Sequence, residues 1–188
     1  MRFYTALINK QPEVLVGFEQ GGTAYRLPLL ARLAPELAFS DMNALILGYN
    51  DKVKATLARL AANADTLQGA AVVVDEVQLL APIVRPLQDV VCLGINYDAH
   101  AQEAGRFSEE AFGGERPYTI YFSKRVNRAT ATGEKVPAYA GLVDSLDYEA
   151  ELGVVLGRDA KGVTKEEARD YVFGYTIIND ISARNLQT

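Results

Sequence analysis

Between Asp147 and Leu156 the chain reads Asp-Tyr-Glu-Ala-Glu-Leu-Gly-Val-Val-Leu, with acidic and apolar residues alternating along its first half. A period of two belongs to an extended segment, whose side chains point to opposite faces in turn. On that geometry Tyr148, Ala150, Leu152, Val154 and Leu156 form an apolar row, and Asp147, Glu149 and Glu151 share the other face. Like charges at neighbouring same-face positions repel and acids are poor strand formers, so such a strand is frustrated unless a cation lies against it. Carboxylate oxygens with no histidine or cysteine nearby suit magnesium, calcium or manganese rather than zinc or copper. A solvated acidic surface accounts for the same residues equally well.

A second segment favours the metal reading. Phe173 to Ile178 is an apolar, aromatic and β-branched run that gives way to Asn179-Asp180, which puts a carboxylate where a strand meets a turn. Asp180 there is a candidate third ligand, and its alternative role is that of a turn former or helix cap. Between the two segments Thr164-Lys165-Glu166-Glu167 has the capping-box pattern and predicts one short helix containing Ala168 and Tyr171.

The 188 residues are 49% hydrophobic and 23% charged, the balance of a globular protein with a substantial core. A net charge of -5 with no lysine or arginine block argues against nucleic acid as a partner. The apolar runs fall short of a membrane span, and the first ten residues lack a signal-length apolar core, so a cytoplasmic protein that does not engage a membrane is expected. Cys92 is the single cysteine, which excludes an internal disulfide and predicts a buried, inert thiol.

Residues 1–86 are predicted to form a small N-terminal α/β domain. Phe3 to Ile8 and Val14 to Phe18 are strand candidates joined by a proline-containing turn, followed by Thr23 to Leu27. Asn50 or Asp51 can cap a helix in which Val53, Leu57 and Leu60 recur at helical spacing. The apolar stretch from Ala71 ends at Pro82 and Pro86, where a ladder or helix cannot continue, and the domain boundary is placed there. Residues 87–188 turn to longer β-rich segments, so the fold class is mixed α+β and rich in β.

His100, the one histidine, stands three residues before Glu103. In a helical segment the two share a face, where a carboxylate orients an imidazole that can activate water; a surface His beside a surface Glu is the alternative. The loop from Gly105 to Pro117 is long enough for a lid and equally suits a passive surface loop. Motifs for a nucleophile elbow, a phosphate-binding loop, a dinucleotide fold or a zinc protease are absent.

Taken together, Gly94-Ile95-Asn96-Tyr97 with His100-x-x-Glu103, Phe122-Ser123-Lys124, Asp147-Tyr148-Glu149-Ala150-Glu151-Leu152, Phe173-Gly174-Tyr175 and Asn179 to Gln187 resemble the fumarylacetoacetate hydrolase family. The resemblance is strong from Val90 to Gln187 and looser over the first 85 residues, which are similar to that family's variable N-terminal domain. It implies a β-roll catalytic domain, an acylpyruvate hydrolase or 2-hydroxyhepta-2,4-diene-1,7-dioate isomerase-like activity, and Mg2+ or Mn2+ held by Glu149, Glu151 and Asp180. It further implies His100 and Glu103 as the water-activating pair, and a small anionic 2-oxo acid or 1,3-dicarbonyl substrate met by Tyr97, Lys124 and Arg106. Arg125 is another candidate for a distal carboxylate, and solubilising surface roles are the alternative for all three cations.

The family's domain continues past the position of Thr188 and supplies another active-site lysine there, so a C-terminally incomplete catalytic domain is expected, as is a homodimer. Two functions follow from this reading. One is metal-dependent hydrolysis of a carbon-carbon bond, with isomerisation or decarboxylation at the same site as its alternative. The other is a fragment that binds metal or a partner without turnover.

Overall fold

The computed structural model describes residues 1–19, 21–94 and 118–186. By compactness the chain divides into residues 1–84 with 130–188, and residues 85–129.

In the larger unit a five-stranded antiparallel sheet has the order β4-β3-β2-β1-β5. Its strands are β1 (Arg2–Ile8), β2 (Gln11–Gly17), β3 (Thr23–Arg26), β4 (Ala71–Val73) and β5 (Gln78–Leu79). Asn9 and Lys10 turn β1 into β2 with φ of 49° and 64°, the left-handed pair that matches the twist of a two-residue hairpin. The expected proline turn is therefore corrected: Pro12 lies inside β2, opposite Leu7. It is tolerated because β3 pairs only with Leu15 and Val16, leaving the Pro12 end of β2 a neighbour on one side alone.

Period-two alternation along β2 divides the core. Val14 and Val16 face a cluster with Leu27, Leu30, Leu37, Leu45, Leu57 and Leu60, and Leu15 faces a smaller cluster with Ala6, Ala24 and Val74. The helices that cover the first face are α1 (Leu27–Leu30), α2 (Met42–Gly48) and α3 (Asp51–Ala61). Asp41 caps α2 by accepting the Ala44 N–H at 2.9 Å, and Asn50 caps α3 by accepting the Val53 N–H at 3.0 Å. As expected from its spacing, α3 buries Val53, Leu57 and Leu60.

The strands β8 (Leu146–Asp147), β9 (Ala150–Leu156), β10 (Val172–Asn179) and β11 (Ser182–Ala183) belong to the same unit. β8 pairs with β11 and β9 with β10, all antiparallel. The Thr164–Glu167 box closes as predicted, with the Glu167 carboxylate accepting the Thr164 hydroxyl at 2.9 Å. It opens a four-residue 3-10 turn, Ala168–Tyr171, rather than an α-helix, because β10 begins at Val172.

The smaller unit contains the antiparallel pair β6 (Val90–Gly94) and β7 (Ile120–Lys124), with Val90 opposite Lys124 and Gly94 opposite Ile120. The Cys92 thiol is half-buried here rather than fully buried. Among the described residues no helix is long and apolar enough to cross a membrane.

Candidate functional site

The single strand expected from Asp147 to Leu156 is two strands, β8 and β9, interrupted at Tyr148 and Glu149. The opposing side is interrupted at the matching place, Asp180 and Ile181, between β10 and β11. The register nevertheless carries through. Asp147 opposes Ser182 and Ala150 opposes Asn179, with two residues intervening on each side, so Glu149 stands opposite Asp180. The Asp180 N–H donates to the Glu149 carbonyl at 2.8 Å, and the Glu149 N–H donates to Asn179 Oδ1 at 3.2 Å.

Opposed residues of an antiparallel pair share a face. Glu149 and Asp180 are therefore placed on one face with Glu151 and its partner Ile178. Gly153 lies on the same face, where a Cβ would come within 2.8 Å of Ile178 Cδ1 and 2.9 Å of Thr176 Cγ2. A glycine is required there because the two strands carry bulk from one side only.

This acidic face is the more enclosed one. Glu149, Glu151 and Asp180 are half-buried, while Leu152, Val154, Tyr175 and Ile177 on the opposite face are each more than half exposed. Val155 and Phe173 pack against the core of the N-terminal sheet and its helices, which is what turns the acidic face inward.

A cation does sit against the acidic row, and it belongs to the chain. Arg184, just past β11, donates through Nε and Nη2 to Asp147 Oδ2 at 2.9 and 2.8 Å, and through Nη2 to Glu149 Oε1. Its backbone N–H bonds the Ser145 carbonyl at 2.8 Å. Partial burial works against the guanidinium's charge, but its hydrogen bonds to both carboxylates outweigh that and raise the Arg184 pKa. Sequence reasoning gave Arg184 no role. Its signal was position alone, a guanidinium four residues after Asp180.

With the side chains so arranged, no three carboxylate, imidazole or thiol groups among the described residues are gathered closely enough to hold a metal ion. The donor set still fits a hard cation by chemistry and by backbone placement: three carboxylates, Glu149, Glu151 and Asp180, on one half-buried face of one strand pair.

Of the other sequence candidates, Lys124 ends β7 in the smaller unit and is half-buried. Arg125 is exposed and lines a shallow hollow with Arg85 and Asp89, where Arg85 donates to the Asn127 carbonyl at 3.0 Å. Tyr97, His100, Glu103, Arg106 and the loop from Gly105 to Pro117 lie outside the described residues.

Residues 89–188, more than half of the chain, match the family profile described as fumarylacetoacetate (FAA) hydrolase C-terminal. The chain belongs to the fumarylacetoacetate hydrolase family. The match includes the strands that carry the acidic face. Among curated relatives it is similar to oxaloacetate tautomerase YisK of Bacillus subtilis, at 45% identity over 112 residues, 60% of this chain and 36% of that protein.

All of the chain superposes on 58% of the fumarylacetoacetate hydrolase of Exiguobacterium antarcticum, at a TM-score of 0.64 and 26% identity. All of it likewise superposes on 57% of 5-carboxymethyl-2-hydroxymuconate delta-isomerase from Mycobacterium smegmatis, at a TM-score of 0.59 and 22% identity, a likeness of fold alone. The chain thus spans less than two thirds of the length of each of these proteins.

Proposed function

We propose that this chain carries the metal-binding and water-activating residues of an enzyme that acts on small 2-oxo acids through their enol or enolate forms. The observation that supports it most is the continuous register that sets Glu149 opposite Asp180, with Glu151 on the same face, in a member of the fumarylacetoacetate hydrolase family. In this reading Glu149, Glu151 and Asp180 hold Mg2+ or Mn2+. Bound there, the ion would supply a Lewis acid favouring the enolate form of a 2-oxo acid.

The remaining work falls to the chain's own side chains. Tyr97, Lys124 and Arg106 bind and orient the anionic substrate. His100, held by Glu103, takes a proton from water as its oxygen adds to the acyl carbonyl carbon. The carbon-carbon bond then breaks, its electron pair leaves as the enolate of the 2-oxo acid, and the proton on His100 is returned to that carbon. The products are a carboxylic acid and a 2-oxo acid.

A second reading, enol–keto interconversion without addition of water, draws on the 45% identity to an oxaloacetate tautomerase. It needs the same enolate stabilisation and one proton transfer.

The test follows the enol absorbance of acetylpyruvate and of oxaloacetate with Mg2+ and after chelation, with acetate and pyruvate assayed as products. Mg2+-dependent loss of signal, reduced about 100-fold or more in Glu149→Ala, is the expected result. Release of acetate identifies the hydrolase, pyruvate without acetate from oxaloacetate the decarboxylase, and decay of enol with neither product the tautomerase. Failure of both substrates with folded, metal-binding protein sinks the catalytic reading in favour of a binding role.

A further inference from the structure

The charge of the acidic face is partly offset from within by a side chain that contacts one of its own candidate ligands. Asp147 and Glu149 are two residues apart on one face, and like charges so placed repel unless a cation lies between them. Arg184 forks to both carboxylates. The Arg184 side chain is two-thirds enclosed, and the Glu149 side chain retains 19% of its exposure. The bond from the Arg184 N–H to the Ser145 carbonyl fixes the base of the side chain to the segment entering β8, so the charge is held where the two acids need it.

We propose that Arg184 is an electrostatic place-holder for the divalent cation: it keeps Glu149 and Asp147 together while no ion is bound, and it yields Glu149 when one enters. This rests on the metal reading given above. Asp147, 45% exposed and gripped by both Nε and Nη2, keeps the guanidinium when Glu149 leaves it. Arg184 is thus a positioning residue with opposite effects on two quantities. It stabilises the ion-free fold, and it lowers affinity for the ion both by occupying a ligand oxygen and by adding a positive charge beside the site.

The test is Mn2+ binding to the full chain, read from the loss of the free-ion electron paramagnetic resonance signal, together with thermal melting with and without Mn2+. In Arg184→Gln the ion-free melting temperature falls, Mn2+ binds about fivefold more tightly, and the rise in melting temperature on adding Mn2+ is larger than in the wild type. Arg184→Lys, which keeps the charge but loses the fork, lies between the two in both quantities. It carries the test alone if the glutamine variant does not fold.

A lower ion-free melting temperature with unchanged Mn2+ affinity means a purely structural ion pair and overturns the place-holder, while the metal reading stands. Weaker binding in the glutamine variant overturns it as well. If wild type, Arg184→Gln and Arg184→Lys all leave Mn2+ free, both the metal reading and the place-holder fail.

Discussion

Glu36 and Glu167 are held below the usual carboxylate range by hydrogen bonds that favour their charged forms. For Glu36 the larger contribution is its own backbone N–H and the next the Thr56 hydroxyl, which donates at 2.7 Å. For Glu167 it is the backbone and then the hydroxyl of Thr164. A carboxylate with a lowered folded pKa contributes stability that is whole above its ordinary pKa and fades as pH falls through the folded value. Thr56→Val should therefore lower the urea midpoint near neutrality, and the deficit should shrink towards the acid end as pH falls below the ordinary glutamate value of about 4.3. An equal deficit at both ends would mean that the hydroxyl acts only through packing. Residues whose partners are close in sequence were legible: Asn50, one of two candidate caps with Asp51, and Thr164 with Glu167 as a capping box. Arg184 was not, since its partners lie 37 and 35 positions away and only pairing of β8 with β11 brings them near.

At the scale of elements, the register of β9 against β10 slips between Val172 and Gly174, and Phe173 occupies the irregularity. Its ring stacks on Phe3 at 5.6 Å and meets Tyr49 edge-on at 5.1 Å, so β10 is pinned to the core of the N-terminal sheet. Phe173→Ala should cost about 2–3 kcal/mol in urea unfolding, whereas Tyr175→Ala, 65% exposed on the other face, should stay within about 0.5 kcal/mol. Equal losses at the two positions would show that the packing of Phe173 does not set the orientation of the strand. Alternation in the sequence separated two faces of β9 correctly, with acids on one and apolar residues on the other. It left open which of them faces solvent. That depends on Val155 and Phe173 packing against the N-terminal core, where Phe173 meets Phe3 and Tyr49 more than a hundred residues earlier in the chain, which periodicity does not encode.

For the molecule as a whole, the family was readable because five motifs in order carry chemistry rather than packing, and the profile match over residues 89–188 agrees with the span they cover. The fold of the first 85 residues was readable only in part. Its hairpin turn uses Asn9 and Lys10 in place of a glycine, and α2 is too short to present a helical period. Homodimerisation remains a proposal at this scale, supported by apolar side chains exposed on the β9–β10 face. Sedimentation velocity should give one species of twice the chain mass, and monomer alone would end the idea. Phe173 carries a further consequence for protein engineering. An N-terminal region borrowed from another family member would meet a foreign aromatic at its core, so chimaeras cut near Val84 should fold well only when position 173 is exchanged along with residues 3 and 49.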